Sequence, residues 1–153
     1  MAAPNVEELE RQFNAAMEEA ETGSSLEAIR RVYGELERDD AEAIAAILHP
    51  RFELHVNASF MDDRSFKGAR GFLNWRKEME KIYSEQRFQP VGIRFAGRDR
   101  WVVLGRWHVK EADSGAELDT PLAHVCEQRD RKVARITIYT DISAALESIG
   151  LYV

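Results

Sequence analysis

From residue 87 to residue 141 the chain reads almost without a break as strand and tight turn. The runs 88–96, 101–110, 117–128 and 133–139 read as extended strands, whose side chains repeat with a period of two. That period of two sends successive side chains to opposite faces of a pleated strand. Between these runs lie a turn at 97–100, the triplet Asp113-Ser114-Gly115 and the triplet Arg129-Asp130-Arg131, each short enough to join antiparallel neighbours. Four consecutive hairpin-linked strands form a meander, and a meander exposes its hydrophobic face unless something else in the chain covers it.

The cover is predicted upstream. Over residues 5–21, Val6, Leu9, Phe13, Ala16, Met17 and Ala20 recur at helical spacing, while the other side carries six glutamates against one arginine; such a charge run reads first as a solvated face and second as an arm for a partner subunit. Gly23 suits a helix C-cap and Ser24 with Glu27 has capping-box spacing. A second helix therefore starts there, with Leu26, Ile29, Val32, Tyr33 and Leu36 as its buried stripe. Residues 41–48 read as a short third helix ended by Pro50, and 52–57 as a first strand. After a polar turn at Asp62 and Asp63, residues 68–83 place Phe72, Trp75, Met79 and Ile82 on one helical face. A short closing helix over 143–149 ends at Gly150, with Asp141 as its cap. Helices first and antiparallel strands afterwards is the order of an α+β domain. The expected division is an acidic amphipathic helix over 1–23 and one domain over 24–153.

Charge and cysteine usage narrow the function classes. A net charge of −6 disfavours a nucleic-acid partner. Cys126 is the only cysteine and cannot form an internal disulfide; the amino terminus lacks a signal-peptide pattern, and no apolar run approaches the ~20 residues of a membrane span. The expectation is a cytoplasmic protein without membrane partners. His49, His55, His108 and His124 are scattered and lack metal-ligand spacing, and no phosphate loop or dinucleotide motif is present, so neither metal nor cofactor is expected.

Two motifs carry a resemblance. Phe66-Lys67-Gly68-Ala69-Arg70-Gly71 entering a Trp-bearing helix, and the terminal run from Lys132 through Tyr139-Thr140-Asp141 to Gly150-Leu151, resemble the SnoaL-like (polyketide cyclase-like) branch of the nuclear transport factor 2-like superfamily. The resemblance implies a cystatin-like cone: a bent antiparallel sheet wrapped around helices and enclosing a cavity, here with an extra N-terminal helix. It also implies a homodimer built through the outer sheet face, and a small, mostly apolar organic molecule as ligand. Beside the ketosteroid isomerase branch, Pro121-Leu122-Ala123-His124 resembles a P-x-D-H strand. Ala123 then falls at the oxyanion-hole acid, Val56 at the base and Val32 at the tyrosine, with Tyr33 one residue away. These departures argue against steroid-isomerase chemistry.

If Ser114-Gly115 is a two-residue hairpin turn, Arg106 faces Ala123, His108 faces Pro121 and Lys110 faces Asp119, all on one side. Trp101, Val103, Trp107, Val109, Thr120, Leu122, His124 and Cys126 take the other. Hydrophobicity makes the tryptophan side the core, whereas the resemblance sets the cavity on the Arg106 side; a second subunit over the tryptophan side would reconcile them. Arg106, His108 and Asp119 are then the candidate catalytic groups, a guanidinium to polarise an oxygen and a His or Asp to move a proton, against the plain reading of a structural ion pair. Tyr33, Val56, Trp75, Tyr83, Ala123 and Ile138 are the expected cavity lining. His124 reads as a core or interface histidine. Two functions remain open: a cofactor-free isomerase, cyclase or hydrolase, and a non-catalytic ligand-binding or association module. A third idea is that the acidic first helix binds a basic partner.

Overall fold

A computed structural model, describing residues 5–57 and 64–152, gives this succession: α1 (Val6–Met17), α2 (Ser24–Glu37), α3 (Ala41–Ile47), β1 (Leu48–Asn57), β2 (Ser65–Lys67), α4 (Gly68–Ile82), β3 (Tyr83–Phe95), β4 (Arg100–Glu111), β5 (Glu117–Arg129), β6 (Lys132–Tyr139) and α5 (Ile142–Glu147). The expected turn at Asp62 and Asp63 lies outside the described residues. Helix caps follow from short polar side chains: Asn5, Asp40 and Asp141 each accept a backbone N–H three residues on. Among the described residues no helix is long and apolar enough to cross a membrane.

The six strands form one curled, unclosed sheet in the order β2-β1-β6-β5-β4-β3. The predicted meander is β3 to β6. The sheet is antiparallel as expected except at one pairing, where β1 lies parallel to β6, which only a long crossover through the intervening elements permits. β2 is a three-residue strand on β1, and it explains the glycines of the 66–71 motif. Gly68 sits at φ 70°, and a Cβ on Gly71 would lie 2.9 Å from the Phe66 carbonyl carbon, so α4 can leave the strand edge closely packed against it.

The β4–β5 register differs from expectation by two residues. Arg106 pairs with Pro121, His108 with Asp119 and Lys110 with Glu117. The connection is longer than a two-residue hairpin: Gly115, at φ 72°, donates its N–H to Glu111 O (3.0 Å), Glu111 N–H donates to Ala116 O (2.9 Å), and the Ser114 hydroxyl is held by both ends of the turn. A slip of two keeps every side chain on its face, so the two expected sets of residues stand. What changes is which set looks inward. Trp101, Val103, Trp107, Val109, Leu122 and Cys126 join residues of α2, α3, α4, β1 and β6 in the main core.

The opposite face is covered by the chain's own ends, where a second subunit was expected on one face. Phe13 and Ala16 of α1 and Ile142, Ala145 and Leu146 of α5 pack on Val102, Leu104, Ala123 and Val125. The acidic side of α1 takes part. Glu10 accepts two hydrogen bonds from Arg106 (2.9 and 2.8 Å), which also donates to Asp119 at 2.7 Å. Glu19, in the turn just past α1, accepts from Arg94 at 3.1 Å, and Gln12 of α1 accepts the Ser143 backbone N–H at 3.3 Å. The first helix is therefore only partly a solvated face.

Two measurements test this packing. In Arg106→Ala, Glu10 and Asp119 face each other without the cation between them; stability should drop by about 1 kcal/mol, the range of half-exposed ion networks, and hydrogen exchange should quicken in α1 while β6 keeps its protection. The β5–β6 turn holds Asp130 and Arg131 at φ 54° and 63°, a left-handed pair in which only the aspartate is readily tolerated. Arg131→Gly should raise stability by about 1 kcal/mol in urea unfolding.

Candidate functional site

Between the inner face of the sheet and helices α2 and α4 lies a cavity of about 530 Å³, a size suited to a small organic ligand. Its wall draws Tyr33 and Leu36 from α2, Phe72, Trp75 and Met79 from α4, Phe88 from β3 and Trp107 from β4. Further wall residues are Leu54, Leu122, His124, Ile136 and Ile138 on β1, β5 and β6. Each follows from periodicity: α2 and α4 turn one apolar stripe to the sheet, and alternate strand residues answer it. Polar groups gather where the cavity opens, with Glu37, Glu80, Ser84 and Glu85 exposed there. Arg76 is tied down beside them, its guanidinium donating to the carbonyls of Leu36, Glu37 and Arg38 at 3.0 Å each, which caps the end of α2.

Deeper inside, one hydrogen-bonded polar pair interrupts the apolar wall. The Tyr33 hydroxyl lies 2.7 Å from His124 Nδ1, and its one other hydrogen-bonding neighbour among the described residues, Cys126 Sγ, is 3.9 Å away. Sulfur is a weak acceptor, so we assign the hydroxyl proton to the bond with Nδ1, which leaves the N–H on Nε2. Nε2 has no protein partner among the described residues. The imidazole is stacked on Phe88, ring centroids 4.0 Å apart and 16° from parallel. Phe88 can lie there because a neighbouring position on β4 is Gly105, where a Cβ would collide with Phe88 Cζ.

Burial sets the protonation of the group. It pushes His124 down to about 3, pushes Cys126 up to about 12 and raises Tyr33 well above its ordinary value, because the charged form of each would be stranded away from water. At neutral pH the pair is uncharged. Glu37 is also raised, first by burial and against the nearby charges of Arg87 and Arg76. A neutral imidazole with a fixed tautomer and an open N–H is a hydrogen-bond donor toward developing negative charge, and a poor base.

The residues singled out from sequence separate into two places. Tyr33, Trp75, Tyr83 and Ile138 line the cavity. Val56 is buried in the same core, paired with Ile138 on β6, but is not among the lining residues. Ala123, expected to face the cavity, is fully buried in the outer cluster under α1 and α5. Arg106, His108 and Asp119 are indeed brought together, His108 Nδ1 lying 3.6 Å from Asp119, yet none of them lines the cavity. The expectation that the cavity lies on the Arg106 side is thereby corrected: the tryptophan side lines it, since α1 and α5 occupy the other. His124 is the residue that sequence reasoning placed in the core without a role. The available signal was its position, a lone imidazole on a strand face otherwise made of Leu122, Cys126 and Thr120. Among the described residues no group of three His, Cys, Asp or Glu side chains is placed to hold a metal ion.

Comparison with known proteins gives a consistent picture. The model of the SnoaL-like domain matches residues 29–136. Among solved structures, TerC co-crystallised with polyporic acid is similar at 24% identity and TM-score 0.64, over 81% of this chain and 96% of that one. A protein described as a SnoaL-like polyketide cyclase from Jannaschia sp. CCS1 is similar at 16% identity and TM-score 0.63, over 81% and 90%. A protein of ketosteroid isomerase-like fold from Catenulispora acidiphila, in complex with trimethylamine, is similar at 12% identity and TM-score 0.62, over 86% and 95%. At such identities these likenesses show the fold alone. No curated protein sequence matches the chain.

The pH dependence of stability tests the state of His124. Its pKa is about 3 when folded against 6.5 for the free side chain. As pH falls below 6.5 the unfolded chain therefore gains a proton that the folded chain refuses, and stability is lost down to the folded value. The melting temperature should fall between about pH 7 and pH 5, above the main titration of carboxylates. In His124→Gln the decline over the same range should be distinctly shallower. Parallel curves would mean that His124 is charged when folded.

Proposed function

This chain belongs to the SnoaL-like domain family, and we propose that it binds a small, mostly apolar organic molecule in the inner cavity and acts on it without a cofactor, as an isomerase, cyclase or hydrolase. The observation that carries this reading is the Tyr33–His124 pair, a buried donor set into an otherwise apolar wall. Tyr33 holds the tautomer, Phe88 holds the plane of the ring, and Nε2–H is free to donate to a ligand oxygen. Such a donor, kept neutral and dry, stabilises charge that builds on that oxygen during reaction and is not weakened by competing water. Glu37 is the lining carboxylate whose raised pKa brings it closer to the working range of a proton-transfer group. The co-crystallisation of TerC, a protein of similar fold, with polyporic acid supports an organic molecule as ligand. In this reading Arg106 and Asp119 serve to dock α1.

Acetonaphthone and ethylnaphthalene differ mainly by the carbonyl oxygen and provide the test by titration calorimetry. The ketone is expected to bind about tenfold tighter, the worth of one good buried hydrogen bond. That advantage should vanish in His124→Phe and shrink in Tyr33→Phe. Exchange of the ketone's methyl hydrogens with deuterated water should also be accelerated by the parent protein and not by His124→Phe. Equal binding of the two probes, with no exchange, would rule out the donor role.

A further inference from the structure

The mouth of the cavity is anionic and its carboxylates are unpaired. Glu37 ends α2, Glu80 lies in the last turn of α4 and Glu85 near the start of β3, and all three line the cavity and are exposed. None of them makes an ion pair or accepts a hydrogen bond among the described residues. The one guanidinium of the lining, Arg76, spends its donors on three backbone carbonyls. Arg87 acts on Glu37 only through space, without contact. The interior adds no positive charge, since its ionisable groups, Tyr33 and His124, are uncharged at neutral pH. An anionic ligand would thus cross three carboxylates, opposed at the mouth by the single lining charge of Arg76, to reach an interior with no positive charge of its own. A cation would find the reverse, together with aromatic rings able to stabilise it through their faces. Two side chains of the wall independently mark the cavity as one that awaits a ligand: His124, only 7% exposed, makes no hydrogen bond through Nε2 among the described residues, and the buried Trp75 Nε1 has no partner there either.

We infer that the ligand is a cationic amine: an apolar body inside the cavity, and a protonated nitrogen at the mouth among Glu37, Glu80 and Glu85, beside Trp75 and Tyr83. The inference rests on the ligand-binding reading above and adds the charge of the ligand and its direction of entry. It leaves the buried end of the ligand free to present an oxygen to His124.

Three probes of nearly the same shape separate the possibilities: naphthylmethylamine, naphthylmethanol and naphthoate, each titrated calorimetrically into the full chain at neutral pH. The amine is expected to bind about tenfold tighter than the alcohol at low salt, and naphthoate weakest. The preference should contract several-fold at about 0.5 M salt and in the triple variant Glu37→Gln, Glu80→Gln, Glu85→Gln, provided its melting temperature shows it folded. The salt series on the parent protein stands even if that variant does not fold. If alcohol and amine bind equally, or naphthoate binds best, the cation inference is overturned while the cavity reading survives. If none of the three binds, both are overturned.

Discussion

Strands β4 and β5 are buried on both faces for much of their length, from Trp101 to Gly105 and from Thr120 to Cys126. A strand so placed cannot form the surface of a two-layer structure. Its inner side needs the helices that frame the cavity, and its outer side needs a second cover. The chain meets the second need with its two ends, α1 and α5, clamped together across the sheet by Gln12 and Ser143. α1 has 12 residues, a length at which an isolated helix is marginal in water. Its helicity and the burial of the outer sheet are therefore one cooperative event, secured at its edges by Arg106 and Arg94.

This division of faces also decides where chemistry can occur. Charged groups on the outer side find partners and are spent on holding helices. Inside, burial removes charge from every titratable group it encloses, so Tyr33, His124 and Cys126 work as hydrogen-bonding groups and not as ions. Keeping an imidazole neutral in this position costs stability in acid, the kind of local sacrifice that functional sites commonly carry. The stacking on Phe88, itself permitted by Gly105, fixes the ring and so limits the freedom that would otherwise be lost on ligand binding.

Much of this was legible in the sequence, and the misses have definite causes. Helical stripes such as Leu26, Ile29, Tyr33 and Leu36, and the turn residues that bound β4 and β5, depend on local spacing, which a sequence displays directly. Alternation also sorted side chains correctly into two faces. It cannot say which face is inside, because that depends on what covers each one, and the decisive fact was the docking of α1 through Glu10, read from sequence as solvated. β2 is too short to show a period. The parallel contact of β1 with β6 joins segments some eighty residues apart in the chain, beyond any local signal. The β4–β5 slip came from Ser114, whose hydroxyl stabilises a wider turn than its Ser-Gly dipeptide suggests.

The contacts of α1 and of the turn that follows it reach across 75, 96 and 131 residues of chain, to Arg94, Arg106 and Ser143. On a ribosome adding roughly 5 to 20 residues per second, the helix emerges several seconds, and at the slower rates some tens of seconds, before its docking surface exists. Until β5 and α5 are complete its apolar stripe has nothing of its own to cover. The six glutamates on the other side of that stripe then acquire a second value, as the charge that keeps a waiting segment in solution until the sheet is ready to receive it.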